Sequence, residues 1–297
     1  MRFHNIIRIF ALVFSVFACV AAQCENTNTM LASDKIFSDN RETIASLNEP
    51  DTNSQTAYGW LMEGFFAYHS KEYEKAIEYY SKAIELEPNY TDAYWRMGHV
   101  YADWNGQYEK AIECYKKAVE LEPDYANAYF DMGIAYKNWN GQYEKAIECL
   151  QKAIELNPNF AQAYFNMGLV YMDLNGQYEK AVKCFKKAIA VKPNWGKAYF
   201  NMGNAYADWN GQYKKAIKYY KKAIKCYKEA IKYRNGLTKY FRELVDSKPD
   251  LAEAYFNMGV AYLKKGDEKQ AIEYYKKAAQ LGDESAKNFL KEIGVSW

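Results

Sequence analysis

The feature that most constrains this chain is that it repeats itself. A glycine inside the same local phrase recurs at Gly64, Gly98, Gly133, Gly168 and Gly203, at spacings of 34, 35, 35 and 35 residues, and a last copy surrounds Gly259. Self-similarity at this period marks a solenoid, in which each unit needs only its neighbours for a core. Such a chain works through an extended surface rather than an enclosed pocket.

Within each unit two amphipathic stretches flank a turn, so the expected fold is all-α. Large aromatics stand four residues before the glycines, at Trp60, Tyr94, Tyr129, Tyr164, Tyr199 and Tyr255. Met97, Met132, Met167, Met202 and Met258 stand just before them, and Tyr101, Tyr136, Tyr171, Tyr206 and Tyr262 three after. Steps of three and four place these on one helical face. A glycine there admits a second helix closely, which offsets its propensity cost of about 1 kcal/mol. The second helix alternates small and large, as in Ala111, Tyr115, Ala118 and Ala146, Leu150, Ala153. Pro88, Pro123, Pro158 and Pro193 close the units, because proline cannot continue a helix.

The arrangement W/Y-x-x-M-G-x-x-Y…A-x-x-x-Y/F-x-x-A…P resembles the tetratricopeptide repeat over most of residues 57–297, in six units. The resemblance implies antiparallel helix pairs stacked into a right-handed superhelical solenoid with a concave groove, and a role as a protein-interaction scaffold. The stretch YYKKAAQLGDESAKNFL also resembles the Sel1-like variant of such repeats.

Four units carry one extra residue in the turn, at Asn105-Gly106, Asn140-Gly141, Asn175-Gly176 and Asn210-Gly211. Both residue types accept left-handed backbone, which reads as a helix stop. The fifth unit is irregular. AIKYYKKAI at 216–224 is followed by the near copy AIKCYKEAI at 223–231. The offset of seven keeps the apolar face in line, which predicts an overlong helix from about Tyr213 to Tyr233 and a short extra helix over 237–248. A kink or break in the solenoid is expected in this region.

The first segment differs in kind. Arg2 and Arg8 precede an apolar run from Ile9 to Val20, interrupted only by Ser15, and small residues follow at Ala21 and Ala22. This is the layout of a secretory signal, and the run is too short to span a bilayer, which takes about 20 residues. Residues 1–22 are therefore expected to be a cleaved signal, with an uncleaved membrane anchor or a lipid linkage through Cys19 as alternatives. Residues 23–56 read as a largely flexible polar linker, 57–236 as units one to five, and 237–297 as the extra helix, unit six and a capping helix. An exported chain, secreted or periplasmic, follows from the signal. Without its signal the chain has a formal net charge of 0, which gives no general reason to expect nucleic acid.

No chemistry of catalysis stands out, and no enzyme activity, metal or cofactor is expected. Of three histidines, His69 and His99 lie 30 residues apart, without the spacing of a metal-binding helix. Cys114, Cys149 and Cys184 occupy one repeat position, filled elsewhere by Tyr79, Tyr219 and Tyr274, so they read as packing residues rather than disulfide partners. Cys24 is either free or paired between chains.

Two surfaces are candidates for function. The resemblance places the first helix of each unit along the groove. The groove candidates are Trp95, Arg96, His99, Phe130, Asp131, Phe165, Asn166, Phe200, Asn201, Asn204, Phe256 and Asn257, an aromatic row flanked mostly by amides that suits a peptide. The other reading of the row is packing against neighbouring helices. A lysine three before the glycine, needed by relatives that clamp a terminal carboxylate, is absent throughout. The second surface is basic. Between 213 and 248, twelve Lys and Arg oppose Glu229, Glu243 and Asp246, a local charge of +9. Lys214, Lys215, Lys218, Lys221, Lys222 and Lys225 crowd this helix and suit an acidic partner or anionic headgroups, in peripheral membrane contact. Trp104, Trp139 and Trp209 recur at the turns, as a partner stripe or as packing between turns.

Overall fold

The computed structural model describes residues 56–174, 176–235 and 248–297. The expected signal, the linker apart from its last residue, Cys24 and the short helix after Gly236 lie outside these residues, except that Lys248 opens a helix of its own. The described residues hold thirteen helices and no strand. They divide into two compact units, 56–191 and 192–297.

The first unit is four helix pairs. These are α1 (Ala57–His69) with α2 (Tyr73–Leu86), α3 (Thr91–Asp103) with α4 (Tyr108–Leu121), α5 (Ala126–Asn138) with α6 (Tyr143–Leu156), and α7 (Ala161–Asp173) with α8 (Tyr178–Val191). Each helix packs most extensively on its pair mate, and α2, α4 and α6 also pack on the first helix of the next pair. The second unit contains α9 (Gly196–Asp208), α10 (Tyr213–Asn235), α11 (Lys248–Lys264), α12 (Glu268–Gln280) and α13 (Glu284–Glu292).

The glycines explain why these helices pair. A Cβ added at Gly98 would lie 2.5 Å from Tyr115 Cε1, and one at Gly203 would lie 2.5 Å from Tyr220 Cε1. At Gly133 the intruding side chain is Leu150, at Gly168 it is Phe185, and at Gly64 and Gly259 it is Tyr80 and Tyr275. One side chain of each second helix thus fills the notch its mate leaves. Alanines stand four residues before and three after that side chain, as Ala111 and Ala118 do around Tyr115, and they are fully buried. Small residues on either side of a large one let the helices close together, ridge into groove.

The turns follow from two left-handed residues in succession. Asn105 and Gly106 have φ of 57° and 64°, and Asn140–Gly141 and Asn210–Gly211 repeat this. The amide of Gln107 then donates to the carbonyl of Tyr101 at 2.9 Å, and its side-chain amide donates to the Trp104 carbonyl. The turns one residue shorter use a single left-handed residue, Lys71 or Gly266. Lysine ammoniums cover the preceding tyrosine rings, with Lys110 5.4 Å from the centre of Tyr101 and Lys145 5.4 Å from that of Tyr136.

The long helix is 23 residues. Its first half fills the Gly203 notch with Tyr220, and one heptad later Tyr227 is buried in turn. It packs on α9 and on α11. A single continuous helix therefore serves both neighbours. The division of the chain falls at Val191 and Lys192. The final helix is capped by Asp283, whose carboxylate accepts from the amide of Ala286 at 2.7 Å, and it buries Ala286 and Leu290.

Cys114, Cys149 and Cys184 are free thiols in the second helices. Burial, with Glu113 beside it, pushes Cys114 up to about 12, and Cys149 is pushed up to about 11 in the same way. Burial alone pushes Cys184 up to about 12. The phenols of Tyr80, Tyr115 and Tyr220 are also raised, chiefly by burial.

Two predictions follow from this packing. The Tyr220 ring is held in place by its hydroxyl, which donates to Asn204 Oδ1 at 2.8 Å, so it cannot swing away from a new methyl group. Gly203→Ala should therefore destabilise by about 1–2 kcal/mol, the overpacking cost exceeding the gain in helix propensity. In a Tyr220→Ala background the same change should cost under about 0.5 kcal/mol, as a double-mutant cycle in urea would show. The second concerns pH. An acid raised on folding keeps its proton while the unfolded chain loses it, so stability is full below about pH 8.5 and falls as pH rises beyond that. The urea midpoint should be level from about pH 7 to 8 and decline steadily above about pH 9.

Candidate functional site

Helical geometry places two rows on one face each of α5 and α7. Asn127, Phe130, Ile134 and Lys137 follow at steps of three and four on α5, and Gln162, Phe165, Leu169 and Met172 do so on α7. First helices of neighbouring pairs meet along this face. Polar contacts cross between them at about one repeat's separation. Trp95 Nε1 donates to Asp131 Oδ2 at 2.8 Å, and His99 Nε2 lies 3.0 Å from the same oxygen. A carboxylate only accepts, so the His99 nitrogen donates. Further along, Lys137 Nζ lies 3.3 Å from Asp173 Oδ2. The Tyr125 hydroxyl donates to Asp92 at 2.9 Å, and the Tyr68 hydroxyl donates to Asp103.

The twelve groove candidates divide between the two units. In 56–191 the structure gathers Trp95, His99 and Asp131 into one hydrogen-bonded cluster. Arg96 lies against the rings of Phe65 and Trp95, with Asp92 3.6 Å away, so its charge is engaged within the unit. Phe130 is half-buried and packs on Phe160 with ring centres 4.8 Å apart. Phe165 is 8% exposed and packs on Phe185, so its ring offers little surface. Asn166 donates back to the Gln162 carbonyl of its own helix.

In 192–297, Phe200 is likewise 8% exposed, against Tyr220. Phe256 packs on Tyr275. Asn204 Oδ1 accepts from Tyr220 and, at 3.3 Å, from Asn257, while Asn201 donates to the Lys197 carbonyl. These amides serve their own unit first. Lys197 and Asp250 join α9 to α11 at 3.8 Å.

Ile134, Leu169 and Met172 belong to the same face and are half-buried, and they were absent from the sequence-derived set. Their signal was available, since they stand one or four residues after the notch glycines. The six lysines of the basic set are all exposed on α10. Lys215 and Lys222 lie over tyrosine rings, at 5.2 Å from Tyr206 and 5.3 Å from Tyr199. Among the described residues, no group of three or more His, Cys, Asp or Glu side chains is placed to hold a metal ion, and no helix is long and apolar enough to cross a membrane.

The Asp131 cluster yields a test. Asp131→Ala leaves the Trp95 indole and His99 without their acceptor in a partly buried place, and should cost about 1–2 kcal/mol. Asp131→Asn keeps one acceptor and should cost about half as much, measured by urea unfolding.

Comparison with known proteins agrees with this geometry. Residues 22–249 match the family model of the C-terminal domain of cilia and flagella-associated protein 70, and residues 252–282 match that of the tetratricopeptide repeat. No curated protein sequence matches the chain significantly. The chain is similar to the crystal structure of MamA protein, with 33% identity and a TM-score of 0.53 over 60% of this chain and 94% of that one. It is also similar to Pseudomonas aeruginosa PilF, with 19% identity and a TM-score of 0.59 over 80% and 97% of the two chains. Cut9, from the Cut9–Hcn1 hetero-tetramer, gives 21% identity and a TM-score of 0.60 over 89% and 48%. The last two likenesses show the fold alone. With a family match over most of its length, thirteen helices that pair through glycine notches, and a solved relative of one-third identity, the chain belongs to the tetratricopeptide repeat family.

Proposed function

We propose that this protein is a non-catalytic scaffold that holds a peptide or protein segment on the first-helix face of residues 56–191. One observation carries the reading. On α5 and α7, which the Trp95–Asp131 and Lys137–Asp173 contacts tie to neighbouring first helices, stand Phe130, Ile134, Leu169 and Met172, all half-buried. A strip of apolar side chains in a polar frame suits the apolar face of an amphipathic segment, with the frame setting its position. Membership of a family of interaction scaffolds supports the same reading. Export through residues 1–22 is part of the proposal.

The test is peptide selection on the purified chain. Enriched peptides should carry apolar residues at helical or alternate spacing. Ile134→Glu and Leu169→Glu should each weaken them by about tenfold or more, since each sets an unpaired charge against an apolar side chain. Leu121→Glu, at a position 37% exposed on α4, should leave them unchanged. Binding should vary little with salt, because apolar contact carries it. Enrichment without apolar residues, or equal binding by all three variants, would overturn the assignment.

A further inference from the structure

Lys214, Lys218, Lys221, Lys225, Lys228 and Lys232 follow one another along α10 at alternating steps of four and three. On a helix that alternation is one straight line, here about 27 Å long. All six are exposed. Glu229, the single acidic residue in the sequence of α10, adjoins the line, with its carboxylate 3.9 Å from Lys225. A depression of about 420 Å³ runs beside the line, lined by Lys221, Ile224, Lys225, Lys228, Glu229 and Lys232.

The repeat supplies its own control. The positions of Lys214 and Lys218 are Glu74 and Glu78 in α2, Glu109 and Glu113 in α4, and Glu144 and Glu148 in α6. In α2 Glu78 pairs with Lys82, and in α8 Glu179 pairs with Lys183 at 2.8 Å. The helix α10 gives up such pairs for like charges one turn apart, which disfavour a helix. Packing does not require this, because the buried side of α10 (Ala216, Ile217, Tyr220, Ala223, Ile224 and Tyr227) repeats the pattern of the other second helices.

We propose that this lysine line docks an acidic helical segment of a partner protein whose carboxylates carry the same alternation of four and three. The line is narrow and straight, as a second helix is. A membrane surface would call for exposed apolar side chains beside the lysines, and α10 buries its large apolar residues, with Tyr219, Cys226 and Ile231 only half-exposed. A nucleic acid would favour arginine forks and open aromatic rings, and the described side chains of the line are lysine throughout. This surface is separate from the strip on α5 and α7, and its test is independent of that reading.

The probe is a fluorescent alanine-based peptide of about 20 residues, with glutamates at that alternation, against a peptide of the same composition with glutamates on all faces. The patterned peptide should bind the purified chain more tightly, and its affinity should fall steeply with salt. Lys221→Gln with Lys225→Gln and Lys228→Gln should weaken it about tenfold. Lys183→Gln with Lys186→Gln and Lys187→Gln, an equal change of charge on exposed residues of α8, should alter it by less than about twofold. Circular dichroism and urea midpoints confirm that both triple variants fold. The proposal is overturned by absence of binding, by equal affinity for the two peptides, or by equal loss in the two variants. It is also overturned if phosphatidylserine vesicles or duplex DNA are held more tightly than the peptide through the same lysines.

Discussion

Everything in this structure depends on one contact, a large side chain of each second helix seated in the notch that a glycine opens in its mate. The contact fixes the distance between paired helices, because the ring already lies where a Cβ would be. It also fixes their register, because fully buried alanines stand one turn to either side. Leu150 takes the place of an aromatic at Gly133 without loss of the arrangement, so the position demands bulk and apolar character more than ring chemistry. Each notch concerns only its own pair, and stability accumulates from neighbour to neighbour.

Because the notches do the work of folding, the other helical faces are released for other uses. On the first helices of 56–191 the released face is tied together by partly exposed polar crossings, such as Trp95 and His99 to Asp131 and Lys137 to Asp173. The more exposed Lys137–Asp173 pair contributes little energy, and the less exposed Asp131 cluster contributes more. Together they join the first helices on which Phe130, Ile134, Leu169 and Met172 stand. On α10 the released face carries Lys214 and Lys218 where α2, α4 and α6 carry glutamates. The two surfaces differ in character, one apolar and one basic, and they lie on different units of the chain.

Much of the fold was legible because a repeat states the same physical problem several times. The recurrent glycine, the small-large-small second helix and the asparagine-glycine turns each gave a structural reading from spacing alone. The seven-residue duplication likewise announced a long helix, since an offset of seven keeps the buried face continuous. The candidate site was less legible. Phe165 and Phe200 stand in the outward row by count, yet each ring turns onto the bulky residue of its mate and is nearly lost to solvent. Asn204 is spent on Tyr220 and Asn257, and Arg96 on aromatic rings and Asp92. Such choices depend on rotamers and, for most of these residues, on neighbours in other helices.

The sequence by itself determined the helix pairs, their boundaries and turns, and the family, because backbone conformation and helix spacing are set by local residue type and periodicity. It also determined the basic character of α10, since charge is read directly from composition. Only the tertiary structure decided which members of the aromatic row remain accessible and which carboxylate joins which indole. It alone placed the division of the chain between α8 and α9. These outcomes turn on contacts between different helices, such as Phe165 with Phe185 and Trp95 with Asp131, where packing selects one of several arrangements that the local pattern permits equally.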